Sequence, residues 1–271
     1  MEDTGLSDRL VNNIVGNSVP ILTAIMRVGL TNRAGGMNKR AENAEAPVGL
    51  ADVVRALEEE IALGQIGPRE RLIEEEIAQR FGIKRHVARQ ALADLETMGI
   101  VVRQVNRGAA VRDYTLAEVE QLYVVRALVE AGAAGLISLP APPAFVRQLT
   151  AIHERHCDAV KRGDLRRVFR ENLLFHKTFF AACGNVCLVE VIEQLAMKAH
   201  AIRSYSIGNP ALLAQVCSEH ALMIRLLKSN DRKRLVELVG RHIQPAKDAY
   251  LQLGRHLDRS TRLSIKLTAP R

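Results

Sequence analysis

Four side chains in the second half of the chain have the types and spacing of a metal-ligand set. Asn172 and His176 stand four residues apart in ENLLFHKTFF, so on a helix they share one face. His220 and His242 lie in separate downstream segments, CSEHALMIRLL and LVELVGRHI. Side chains pointing inward from different helices of a bundle can converge on one cation, and neutral imidazole is the commonest metal ligand among side chains. Core histidines without a ligand, with Asn172 as a hydrogen-bonding core amide, would give the same spacing. Two arginines sit among apolar neighbours, Arg126 in LYVVRALVEAG and Arg203 in AHAIRSYS. Either can grip a carboxylate through its planar fork. Arg126 also precedes Glu130 by four residues, the spacing of an intrahelical ion pair. His153 and His156 lie three apart on a mixed face and read as surface residues.

A different chemistry is written between Glu70 and Arg112. From Arg80 to Arg112 the cations are Arg80, Lys84, Arg85, Arg89, Arg103, Arg107 and Arg112, against only Asp94 and Glu96. Just upstream, acids dominate. Positive charge gathered on one segment is what phosphate contacts require. Lys84, Arg85, His86, Arg89 and Gln90 would line one side and the leading end of a helix whose other side is Val87, Ala88, Ala91, Leu92 and Leu95. Small residues on the packing side and long donors opposite suit a helix laid in a DNA major groove.

The elements that must carry these groups follow from periodicity. ERLIEEEIAQRF repeats apolar residues at helical spacing and ends at Gly82; RHVARQALADLETMG forms a second helix closed by Gly99. Ile100 to Val102 and Ala109 to Val111 then read as a two-stranded hairpin turning at Asn106, Arg107 and Gly108. Gly108 allows close backbone approach, and Arg107 can reach a phosphate or a narrow minor groove. After Arg112 the pattern is wholly helical, over about 115–139, 143–162, 164–183, 186–207, 210–229 and 232–256, with Pro- and Gly-rich breaks between. Short connections imply antiparallel neighbours. The expected fold is therefore mainly α: an N-terminal winged helix-turn-helix over 47–113 and an all-α antiparallel helical bundle over 114–256. Residues 1–46 read as a flexible N-terminal extension, for which a start at Met37 would leave only a short polar arm. Residues 257–271 read as a basic tail.

The segment from Leu50 to Val111 resembles the winged helix-turn-helix of GntR-type bacterial transcription regulators. Their I-x-x-G-x-I is matched by Ile61, Gly64 and Ile66, and their acidic E-E-E-[LI]-A by Glu74 to Ala78. Their G-V-S-R-T-P-V-R-E-A-L stands here as Gly82 to Leu92. The resemblance implies that Arg85 and Arg89 contact guanine or phosphate and that Gly108 shapes the wing tip. Lys84 replaces the usual serine N-cap, Val87 a proline and Gln90 a glutamate. Loss of the cap weakens the helix start by about 1 kcal/mol. The region from Thr115 to Leu251 resembles the all-helical FCD ligand-binding domain of the FadR-like branch, and the short link to the wing resembles the six-helix, VanR-like arrangement. In that branch an Asp and three His bind zinc, nickel or manganese beside a pocket for a small carboxylate. By resemblance the ligands are Asn172, His176, His220 and His242, and Arg126 stands where the family shows a recurrent Arg; Arg203 is an effector-binding candidate from its apolar surroundings alone. Asn172 stands where the family has Asp, leaving the metal charge less compensated.

Composition narrows the function classes. A chain of 271 residues has room for two domains, and a net charge of +8 favours polyanionic partners. There is no Trp and aromatics are few, which speaks against stacking on single strands and for duplex reading by a helix. No apolar run approaches the roughly 20 residues of a membrane span. Cys157, Cys183, Cys187 and Cys217 form no C-x-x-C pair and read as reduced, buried thiols of a cytoplasmic protein. The expectation is a ligand-responsive regulator, not an enzyme. It would bind a palindromic DNA operator as a homodimer and respond to a small carboxylate, with repression as the family's usual mode. The rivals are a metal-dependent enzyme built on the three histidines and a ligand-blind DNA-binding dimer.

Overall fold

The computed structural model describes residues 48–104 and 108–255. Helix α1 (Leu50–Ala62) buries Val53, Leu57 and Ile61 on one face. Helix α2 (Glu74–Phe81) opens on three glutamates, where the free N–H groups of a helix start favour negative charge. It ends at Gly82, left-handed at φ 63°, and the Ile83 N–H turns back onto the Ala78 carbonyl at 3.0 Å. Helix α3 (Arg85–Thr97) starts on an extended Lys84 with no side-chain cap, as the missing serine predicts. Ala88, Ala91, Leu92 and Leu95 of α3 close a core with Leu57, Ile77, Ile100 and Val111.

One part of the first predicted helix is not helical. Arg71–Leu72 form strand β1, which pairs with β3 (Gly108–Val111); β2 (Val101–Gln104) lies on the other side of β3. The expected two-stranded hairpin is thus a three-stranded antiparallel sheet, with Ala110 opposite both Arg71 and Val102. Backbone pairing with β3, remote in sequence, outweighs the local helical pattern of Leu72 and Ile73.

Thr115 begins the helical half with a capping box: its hydroxyl accepts the Glu118 N–H, and the Glu118 carboxylate accepts the Thr115 N–H. Helices α4 (Leu116–Leu136), α5 (Pro143–Arg162) and α6 (Leu165–Ala181) follow, then α7 (Val186–Lys198), the short α8 (His200–Arg203), α9 (Pro210–Leu227) and α10 (Arg232–His242). Asp164, Asn185, Asn209 and Asp231 cap the helices after the predicted breaks. Two predicted helices are interrupted. The stretch 186–207 breaks at Ala199, and 232–256 turns at Ile243 before helix resumes over 244–255. Phe175, Phe179, Leu149, Met223, Leu227 and Leu235 centre the second core.

The two cores meet across ion pairs. Glu59 of α1 is almost fully buried and takes Arg170 of α6 on both oxygens, at 2.5 and 3.0 Å. Glu58 lies 3.1 Å from His200 of α8, and Ala201 packs into the N-terminal core.

Candidate functional site: a DNA-reading helix and a histidine-lined cavity

Lys84, Arg85, His86, Arg89 and Gln90 are all exposed on α3, on the side away from its packed alanines. Their guanidinium groups are not free. Glu74, at the start of α2, accepts from Arg85 at 3.1 Å and from Arg89 at 3.1 to 3.2 Å. The Arg89 bond, followed by that of Arg85, holds the Glu74 carboxyl below its ordinary value against the opposing effect of burial. Gln90 donates to Asp94 at 2.9 Å, and Arg103 of β2 donates to the Arg89 carbonyl at 2.9 Å. Gly108 has φ 79°, and a Cβ there would meet the Leu72 carbonyl at 3.3 Å. Its glycine is therefore required by the β1–β3 packing itself. Arg107 lies outside the described residues.

In the helical half, His176 of α6, His220 of α9 and His242 of α10 converge. One ring nitrogen of each lies within 4.8 Å of the other two. Glu219 accepts from His242 Nδ1 at 2.5 Å, which turns the lone pair of Nε2 towards His176 Nε2, 3.4 Å away. Two nitrogens on a tetrahedral zinc are also about 3.4 Å apart, given metal–nitrogen bonds of about 2.0–2.1 Å. His220 stacks on Phe175 and has both nitrogens buried without a partner. Burial and the neighbouring imidazoles push His176 and His220 well below 6.5, so both are neutral near pH 7 and can ligate. Asn172 lines the same cavity, one helical turn before His176. Three imidazoles and an amide oxygen fit a borderline divalent cation, and the orphaned His220 nitrogens are the observation that favours one.

The two arginines differ. Arg126 is buried and bound to Glu130, at 3.0 Å through Nε and 2.9 Å through Nη2, with its guanidinium over the Tyr123 ring. Arg203 lines the cavity with Nη1 buried and unpartnered, and the Tyr123 hydroxyl is buried and unpartnered too. Burial and the charge of Arg126 pull the Arg203 pKa below its ordinary value. Two cations beside one bound acid leave this end of the cavity short of negative charge.

Residues 50–111 match the bacterial regulatory proteins of the gntR family, and residues 121–245 match the FCD domain. The chain is a gntR-family protein with an FCD domain. Its curated relatives include the HTH-type transcriptional regulator McbR of Escherichia coli (strain K12), 23% identical over 181 residues, 65% of this chain and 81% of McbR. The HTH-type transcriptional repressor RspR of the same organism is 21% identical over 201 residues, 74% of this chain and 88% of RspR. Among solved structures, E. coli McbR/YncC superposes with a TM-score of 0.66 at 21% identity, covering 75% of this chain and 97% of that one, a likeness of fold. The protein is thus a DNA-binding transcriptional regulator of GntR/FCD type. No helix among the described residues is long and apolar enough to cross a membrane.

In this GntR/FCD chain two features escape the spacing argument. His156 is not a surface residue: it is fully buried and lines the cavity, with Nε2 unpartnered. Its signal was present, since Leu149, Ile152, His156 and Ala159 of α5 recur at core spacing. The other is α8, which carries Arg203 in the cavity at one end and His200 against Glu58 of α1 at the other.

Proposed function

We propose that this regulator is an effector-responsive repressor of the bacterial cytoplasm that binds a palindromic operator as a homodimer. Residues 47–113 form the DNA-reading unit and 114–256 the sensing and dimerising unit. The observation that carries the sensing half is a set of unpartnered buried groups: Arg203 Nη1 and the Tyr123 hydroxyl on one cavity, and both His220 nitrogens beside that cavity's His176 and His242. A buried polar group without a partner is costly, and a bound ligand removes the cost. Asn172, His176, His220 and His242 would hold a divalent metal such as zinc, nickel or manganese. When bound, the cation supplies fixed positive charge that attracts a carboxylate. Arg203, whose Nη1 is unpartnered, takes the other end of that anion, while Arg126, already paired with Glu130, anchors α4.

Dimerisation is supported by α4. Val119, Tyr123 and Ala134 of that helix are buried, yet Val124, Val125 and Leu128 are exposed on its outer side. A helix that is apolar all round is normally covered on all sides, and a second copy of this chain supplies the cover. Two copies double the few base pairs that one α3 reads. The effector acts through its different affinity for two arrangements of the DNA-reading units, with α8 as the mechanical link.

The test uses the full chain and a DNA fragment from its own promoter. Small carboxylic acids are titrated with and without zinc, nickel and manganese while operator binding and thermal stability are followed. Release of DNA by one class of acid, with stabilisation and no turnover, is the expected result. Turnover supports the enzyme reading, and no response to any acid supports a ligand-blind dimer.

A further inference from the structure

A second donor cluster adjoins the histidine triad. His156 and Cys157 are consecutive on α5, His153 stands one turn earlier, and Cys217 faces them from α9. Cys217 Sγ lies 3.6 Å from His156 Nδ1, and Cys157 Sγ lies 3.6 Å from His153 Nδ1. Donor atoms of His156, Cys157 and Cys217 all fall within 4.8 Å of one another. The geometry points to a second metal site, on Cys157, Cys217 and His156, for a thiophilic divalent cation of the zinc class.

Two observations carry it. Sulfur and nitrogen on one tetrahedral zinc are about 3.6 Å apart, from bonds of about 2.3 and 2.0–2.1 Å. Cys217 and His156 stand at that separation, while Cys157 Sγ lies 3.6 and 3.8 Å from the two ring nitrogens of His153. Two thiols that release their protons to solvent on binding give a donor set of charge −2, which cancels a divalent cation. The triad with Asn172 offers no anionic donor. The chemistry of the two sites therefore differs, and thiolate donors select a softer metal than imidazole and amide alone. His156 connects the sites: its ring centroid is 5.2 Å from that of His220, and its Nε2 faces the cavity side unpartnered.

Cobalt(II) titration of the reduced full-length protein tests the site. Sulfur-to-cobalt charge transfer gives a near-ultraviolet band that imidazole and amide ligands do not. The expected result is such a band in the unaltered protein, its loss on adding zinc, its absence in the Cys157→Ser/Cys217→Ser variant and its retention in His176→Ala/His242→Ala. Alkylation followed by peptide mass mapping gives a second readout on unaltered protein. Zinc should shield Cys157 and Cys217 and leave the exposed Cys187 reactive. No band in the unaltered protein, a band that survives loss of both thiols, or equal alkylation of Cys157 and Cys217 with and without zinc overturns the assignment. Retention of the band in the triad variant separates this site from the proposed sensing site, whose own failure would leave the band untouched.

Discussion

Arg89 lies across the carboxylate of Glu74, donating to both oxygens at 3.1 to 3.2 Å, so the guanidinium that points from the DNA-reading helix is already held by an acid of the preceding helix. Arg85 shares the same acid. Such a clamp orients two long side chains before DNA arrives and lowers the positive charge that a random duplex would feel. Glu74→Gln keeps the shape and removes the charge. Affinity for non-operator duplex should rise several-fold and its salt dependence steepen by about one phosphate contact, while the ratio of operator to non-operator binding falls. Anisotropy titrations at several salt concentrations give both numbers, and an unchanged ratio would sink the clamp.

The same pair sets an acid limit. Glu74 titrates below its ordinary value when folded, so the clamp's contribution is complete above the ordinary carboxylate range and is lost as pH falls through the lowered value. Operator selectivity should be flat from pH 8 to about 6 as far as Glu74 is concerned, with any change due to this residue confined to still more acidic solution. In Glu74→Gln that acid-side change should be absent, which binding measured against pH in both proteins will show.

How much of this was legible in advance depends on whether the deciding interaction is local. Gly82, the α3 packing face and the Asn172–His176 pair are matters of spacing along one helix, and the residue types state them. The Arg126–Glu130 bond was open to the same reading, being one helical turn. Strand β1 was not, because two residues acquire β structure only from Ala109 and Ala110, far along the chain. The break at Ala199 carries no Gly or Pro; α8 leaves the line of α7 to pack Ala201 against the other core. His156 and Cys217 are adjacent only because α5 and α9 pack together, and no spacing within either helix announces that meeting.

The contrast between the two cavity arginines is measurable. Removing Glu130 leaves the Arg126 charge buried and unpaired, so Glu130→Ala should cost about 3–5 kcal/mol in denaturant unfolding. Arg203 has an unpartnered buried Nη1 and sits beside a like charge, so Arg203→Met should leave stability unchanged or raise it while abolishing the response to acids. A large stability loss in Arg203→Met would mean that its role is structural.

The exposed apolar side of α4 predicts a variant that separates assembly from folding. Val124 and Leu128 are 61% and 70% exposed in the single chain and lie one turn apart. Val124→Glu with Leu128→Glu should give a folded monomer by light scattering and normal helicity by circular dichroism. Operator affinity should fall by about 100-fold or more, because the second α3 then no longer binds at high effective concentration. A stable dimer with both charges in place would move the interface elsewhere.

Glu219 offers the sharpest test of the triad, because its carboxylate is hydrogen-bonded to His242. Its carboxylate accepts from His242 Nδ1 at 2.5 Å and from Gln215 at 2.9 Å. Burial pushes the Glu219 pKa up, but these bonds outweigh it and keep the group charged. With Nδ1 committed as donor, Nε2 is left as the ligating atom. Outer partners of this kind commonly contribute 10- to 100-fold in metal affinity, so Glu219→Gln should weaken zinc binding by about that factor without abolishing it. His242→Ala should abolish it, and the intact fold can be checked by the unchanged helicity of both variants. Competition with a chromophoric chelator supplies the affinities. Zinc binding equal in Glu219→Gln and the unaltered protein would show that the carboxylate merely caps a core histidine, and would remove His242 from the site.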